Sequence, residues 1–243
     1  MSSFAEHPLL FDEAPAQKGA PSYLADHRSR LRARFAEGGA DAMPDYELLE
    51  LLLFRIVPRR DVKPLARALI DRFADVGGVL AASADNLAKT PGIGPAVASE
   101  LKVTEAVVRR CLRTRALNRP IVSSWQALID YCHATMSRET TERFRILFLD
   151  TKNTLIADEE QARGTVDHVP VYPREVVKRA LELDAKALIL VHNHPSGDPT
   201  PSDADISMTW QIAEACTVLG LTLHDHIIIG HGTETSFRGQ GYL

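Results

Sequence analysis

Cysteine is scarce in this 243-residue chain: Cys111, Cys132 and Cys216 are odd in number and scattered, and no Cys-x-x-Cys pair occurs. That usage argues for a reducing compartment, the cytoplasm, and against a sulfur-ligated metal. Long apolar runs are also missing. None approaches the ~18 residues that a membrane span needs, and the N-terminus lacks the basic start and long apolar core of a secretory signal. The expectation is a cytoplasmic chain without a membrane partner. Neither sign of charge dominates, since the net charge is only −4. Residues 1–115 hold 17 Lys+Arg against 15 Asp+Glu, which leaves 11 and 17 of the chain's 28 and 32 for the remainder. A mildly basic first half beside an acidic second half suggests different partners for the two. What remains is ordinary: 45% hydrophobic and 25% charged residues, at a length comfortable for two domains.

The informative stretch runs from Leu188 to Asp205. Ala187 to Val191 is a short apolar run that reads as a buried strand. His192 and His194 follow, and side chains two apart on a strand share a face, so both rings can converge on one point. Pro195, Gly197, Pro199 and Pro201 then force a turn. Ser202 opens a helix with Asp205 in its first turn. Two neutral nitrogens and a carboxylate make a three-ligand set for a divalent metal, with a fourth position left for water. Zn²⁺ suits that set. The bland alternative is a chance His-x-His beside a capped helix, but capping does not explain two histidines ending a buried strand before a rigid turn.

His192-x-His194, seven intervening residues that begin with Pro195, then Ser202 and Asp205 match the JAMM (MPN-plus) metalloprotease motif. The fuller string from His192 to Ser202 resembles the bacterial RadC family in particular, and the resemblance covers about residues 23–243. It implies an α/β C-terminal domain around a mixed sheet, of JAMM (cytidine-deaminase-like/MPN) type, preceded by a small all-α domain with a helix-hairpin-helix. A deaminase itself is excluded, because its His-x-Glu and Pro-Cys-x-x-Cys elements are absent.

Taken in order, residues 1–22 read as a disordered tail and 23–115 as the helical domain. A helix from Tyr23 to Glu37 carries Arg28, Arg30, Arg32 and Arg34, which either face solvent or bind phosphate. Asp45 is expected to cap the next helix, Tyr46 to Phe54. Asp61 to Phe73 follows, and Gly77-Gly78 breaks the pattern. Gly92, Ile93 and Gly94 form a tight turn before a helix starting at Pro95. Glycines there let backbone N–H groups approach an anion, and the turn resembles a helix-hairpin-helix that binds DNA phosphates without reading sequence. Arg113 to Pro120 reads as a linker, and 121–243 as the JAMM domain. In that domain a helix from Ser123 or Ser124 to Met136 should turn Trp125 and Leu128 inward. Strands Phe144–Leu149 and Thr154–Ala162 form a hairpin. A helix Arg174–Leu183, the metal strand, a helix Asp203–Leu219 and a strand Leu221–Ile229 complete the order, with a short strand near Thr233–Phe237.

A metal-activated water needs a base. The hairpin offers Asp158, Glu159 and Glu160. Alternation puts Glu159 with Leu155 and Ala157, and Asp158 and Glu160 with Ile156, so periodicity cannot choose. The family pattern places its catalytic Glu five residues before Gly-Thr, and Glu159 stands so before Gly164-Thr165. Asp158 and Glu160 are then expected as solvated edge charges. The resemblance also implies Ser202 as the hydroxyl that steadies an oxyanion. His224-x-His226 has the same spacing but no turn and no third ligand, so core or supporting roles are expected. The function implied is a zinc-dependent peptidase or isopeptidase acting on a protein or peptide, with a DNA-binding N-terminal module. The alternative is a non-enzymatic DNA-binding accessory factor in repair or recombination.

Overall fold

Residues 22–117, 120–121, 125–163 and 171–243 are described in the computed structural model. The expected tail up to residue 21, the caps at Ser123 or Ser124 and the Gly164-Thr165 pair lie outside them. No helix among the described residues is long and apolar enough to cross a membrane. The chain divides into two compact units, residues 1–79 with 85–98, and residues 80–84 with 99–243.

The first unit is helical. It holds α1 (Ser22–Gly38), α2 (Asp45–Ile56), α3 (Lys63–Phe73), most of α4 (Val76–Ala81) and α5 (Ala84–Ala88), and the start of α6 (Pro95–Leu117). Leu31, Leu49, Leu53, Ala66, Leu69 and Leu87 fill its core. Arg28 donates to the carbonyls of Phe54, Val57 and Arg60 at 3.2, 2.8 and 2.8 Å, so it ties down the C-terminal end of α2 and the turn that follows it. Arg34 bonds Ala42 O and pairs with Glu47. Two of the four α1 arginines therefore hold the fold together. Asp45 does not cap its own helix, because Pro44 occupies the cap and the Asp45 carboxylate accepts from Val76 N at 2.9 Å. Gly77 and Gly78 do not break the chain but lie inside α4, with Gly78 buried. The linker expected from Arg113 is helix as far as Leu117.

The second unit is built on a five-stranded mixed sheet of order β2-β1-β3-β4-β5: β1 (Arg143–Leu149), β2 (Leu155–Arg163), β3 (Ala187–Asn193), β4 (Thr222–Ile229) and β5 (Glu234–Ser236). Only β3 and β4 run parallel, joined through α9 (Asp203–Val218). β3 is buried at every position, which explains its unbroken apolar run. One sheet face packs Leu147, Leu149, Ile189, Val191, Ile227 and Ile229 against α7 (Trp125–Met136). The other packs Phe144, Ile146, Phe148, Leu188 and Leu190 against α8 (Pro173–Glu182) and α9. Leu128 is buried as expected, whereas Trp125 is exposed. α10 (Phe237–Gln240) follows β5 and buries Phe237.

Candidate metal centre

β3 ends at Asn193, so His192 leaves the sheet on the α8–α9 face, opposite Phe144 of β1. Their rings stack with centroids 5.9 Å apart. Asn193 points the other way: its Oδ1 accepts from Arg143 N at 2.9 Å and its amide donates to Thr141 O at 3.2 Å. The residue between the two histidines thus pins the chain leading into β1.

The turn that carries His194 packs on the end of β4. His194 N donates to Ile229 O, and His231 N donates to Gly197 O. Two glycines permit that approach. Gly197 has φ +86°, and a Cβ there would lie 2.4 Å from the His231 ring; a Cβ on Gly230 would lie 2.3 Å from Gly197 O. Ser202 then opens α9 with a capping box in which Asp205 takes the reciprocal position. Asp205 Oδ2 accepts from Ser202 N at 2.8 Å and from Ser202 Oγ at 2.7 Å.

The three sequence-nominated ligands meet. His192 Nε2 lies 3.0 Å from His194 Nε2 and 3.3 Å from Asp205 Oδ1, and His194 Nε2 lies 3.5 Å from Asp205 Oδ2. The hydrogen bonds behind the rings fix which nitrogens carry protons. Thr209 Oγ1 donates to Asp205 O at 2.5 Å, so it accepts from His226 Nδ1 at 2.6 Å. His226 Nε2 is then an acceptor, and His192 Nδ1 donates to it at 2.7 Å. His194 Nδ1 donates to Asp198 O at 2.8 Å. His192 Nε2 therefore presents a lone pair, and His194 Nε2 faces both it and the Asp205 carboxylate. Such an arrangement is repulsive unless a proton or cation sits among the donors, and two imidazoles with one carboxylate suit a divalent metal such as zinc.

Burial pushes the His192 imidazole down to about 4, so it is neutral at physiological pH. His194 moves up, through its contact with Asp205 and against the effect of burial. Burial would raise the Asp205 carboxyl, but His194, His192 and the Ser202 hydrogen bonds outweigh it and hold the group well below the usual carboxylate range. Burial drives His226 well below its ordinary value.

The three hairpin acids separate by face. Ile146 pairs with Glu159 on one side and Leu190 on the other, which puts Glu159 on the α8–α9 face with His192. Counting alternation from Leu155 fails because Ile156 is a bulge: Leu149 pairs with Leu155 and Phe148 with Ala157. Leu155 thus joins the α7 face while Ala157 joins the other. Asp158 is not a solvated edge charge. Its side chain is buried on the α7 face, where Tyr131 Oη donates to it and Arg145 Nε lies at 2.9 Å. Glu160 stands 3.5 Å from both Arg143 and Arg145.

Glu159 is gripped by a residue that sequence reasoning missed. Arg179 of α8 donates through Nε to Oε2 at 2.8 Å and through Nη2 to Oε1 at 2.7 Å, and these bonds hold the Glu159 carboxyl below its ordinary value. Nothing in the spacing of α8 pointed to that partner. Thr209 was closer to legible, standing one helical turn after Asp205 on the same face. Ser202 Oγ is occupied as donor to Asp205 Oδ2 and acceptor from Asp205 N. His224 Nε2 bonds Asn153 Oδ1 at 2.7 Å, away from the ligand set.

In the helical unit, Gly92 has φ +88°, so the turn requires a glycine there. The Ile93 side chain is buried, and its N–H donates to Thr90 O at 3.0 Å.

Comparison with known proteins agrees with this architecture. A family model described as RadC-like JAB domain matches residues 122–242, and one described as UPF0758 N-terminal matches residues 25–99. The chain is 65% identical over 223 residues to a UPF0758 protein of Ruegeria pomeroyi, covering 92% of this chain and 100% of the relative. It is 68% identical over 213 residues to a UPF0758 protein of Rhodobacter capsulatus, covering 88% and 100%.

Proposed function

The chain belongs to the UPF0758 family and carries its RadC-like JAB domain, and from that premise we propose that it is a zinc-dependent peptidase or isopeptidase. The observation that carries this reading is the convergence of His192 Nε2, His194 Nε2 and an Asp205 oxygen, with a carboxylate, Glu159, on the same sheet face. A structural metal would need no such carboxylate. Zinc, when bound, would polarise a carbonyl and bring the pKa of a water to about 7.

The chain's own residues then divide the work. His192 and His194 would hold the ion, with Nδ1 of each anchored to His226 and to Asp198 O. Asp205 would supply the anionic ligand. Glu159 accepts the proton of the attacking water and passes it to the leaving nitrogen, which requires at least one of its oxygens to leave Arg179. Ser202 reaches a substrate oxyanion only by giving up its bond to Asp205. Supporting the choice of base is the position of Asp158 and Glu160 on the opposite face.

The test compares wild-type protein, Glu159→Gln and His194→Ala on a mixed peptide library after zinc loading. Cleavage by the wild type alone, with full zinc in Glu159→Gln and little in His194→Ala, is the expected outcome. Equal cleavage by Glu159→Gln removes it as base. DNA binding by the Gly92–Gly94 turn is a separate proposal: duplex affinity should fall steeply with salt if phosphates are gripped there.

A further inference from the structure

A cavity of about 380 Å³ opens beside the metal centre, at the lower end of the volumes that hold small ligands. It shares Phe144 and Asp205 with the centre, so an occupant lies next to the place where a scissile amide would sit. Its other walls come from Glu142, just before β1, and from two further places. Val171, Tyr172 and Pro173 lead into α8. Ala204, Ser207, Met208 and Gln211 recur at i, i+3, i+4 and i+7, one face of the helix that presents Asp205. The sequence therefore builds the ligand and the cavity wall from the same two turns of α9.

The chemistry of the wall selects its occupant. Phe144, Val171, Tyr172, Pro173 and Met208 give an apolar lining, and the Met208 thioether adapts to varied shapes. An acidic group would meet the carboxylates of Asp205 and Glu142. A basic head would have to compete for Asp205, which is committed to Ser202 and the histidines. Ser207 and Gln211, joined at 3.3 Å, add polar groups suited to the backbone of an extended chain.

We propose that this cavity is a specificity subsite for a bulky apolar side chain (leucine, methionine or phenylalanine) beside the amide that is cut, an assignment that rests on the hydrolase reading. Each methylene buried there is worth about fourfold in affinity, so leucine should outbind glycine by about tenfold or more.

The experiment uses full-length, metal-free protein with ¹³C-methyl methionine. The Met208 resonance is assigned with Met208→Leu. The probes are N-acetyl amides of leucine, phenylalanine, glycine, glutamate and lysine. The expected result is a Met208 shift at about tenfold lower concentrations of the leucine and phenylalanine probes than of the other three. Ala204→Leu, which fills the cavity, should abolish it while zinc uptake stays intact. No Met208 shift, or an equal response to the glycine, glutamate or lysine probe, overturns the proposal. A positional-scanning peptide library on zinc-loaded protein separates the two readings. Met208 selectivity without any cleavage keeps the subsite and sinks the hydrolase. Cleavage without apolar preference does the reverse.

Discussion

His226 stands 2.7 Å behind His192, and the proton between them belongs to His192 Nδ1 because His226 is itself a donor to Thr209. The buried histidine thereby selects the tautomer that leaves His192 Nε2 free for a metal. His226→Phe removes the acceptor and allows the other tautomer. Zinc affinity, measured by competition with a chromogenic chelator, should fall by about 10–100-fold. Thr209→Val should act in the same direction through His226. Unchanged affinity in both variants would mean that the rear hydrogen bonds do not govern the ligand.

Arg179 and Glu159 form a second such pair, and their pH behaviour follows from its sign. Hydrogen bonds from Arg179 hold the Glu159 carboxyl below its ordinary value, so the pair stabilises the folded chain above the unfolded carboxyl pKa of about 4.3. That contribution is lost as pH falls through the folded value. Arg179→Gln should raise the Glu159 carboxyl toward the ordinary range, seen by ¹³C-carboxylate titration, and lower the melting temperature near pH 7 but not in acid. A Glu159 titration that is the same in both proteins would contradict the pairing.

The metal set was legible because all three ligands fall in one continuous stretch, where strand period, proline turn and helix start leave a single geometry. Glu159 was legible only as one of three acids. Its face depends on the bulge at Ile156, and a bulge is a matter of partner register that one strand's alternation does not carry. Asp45 and Gly78 misled for a related reason. Each looks local, a cap and a breaker, but Asp45 serves Val76 N of another helix, and Gly78 is buried inside α4. Arg179 reaches Glu159 across 20 residues of sequence, so no short window could reveal that pairing.

Neighbours on one strand should behave in opposite ways. Asp158 lies in the α7-side core with Tyr131 and Arg145, and Glu159 on the other face is partly exposed. Asp158→Ala strands a guanidinium and a buried phenol, and should cost about 3 kcal/mol in urea denaturation while zinc content stays near one per chain. Glu159→Gln should cost far less and also keep its zinc. Should Asp158→Ala lose zinc before it loses stability, the two faces of β2 would not be independent.

Gly197→Ala probes the turn that aims His194. The residue has φ +86°, where an L side chain is strained by about 1–2 kcal/mol. Its new Cβ would also lie 2.4 Å from the His231 ring, so the turn must lift from the end of β4. His194 is held there by its own N–H to Ile229 O and by Nδ1 to Asp198 O. Lifting the turn moves Nε2 away from His192 Nε2 while leaving His192 on its strand. The variant should therefore bind zinc more weakly, with a smaller loss of melting temperature than a core substitution in β3. Gly197→Ala with His231→Ala removes the steric part and keeps the strained backbone, so the double variant should recover part of the zinc affinity. Full zinc affinity in the single variant would show that the turn does not set the position of His194.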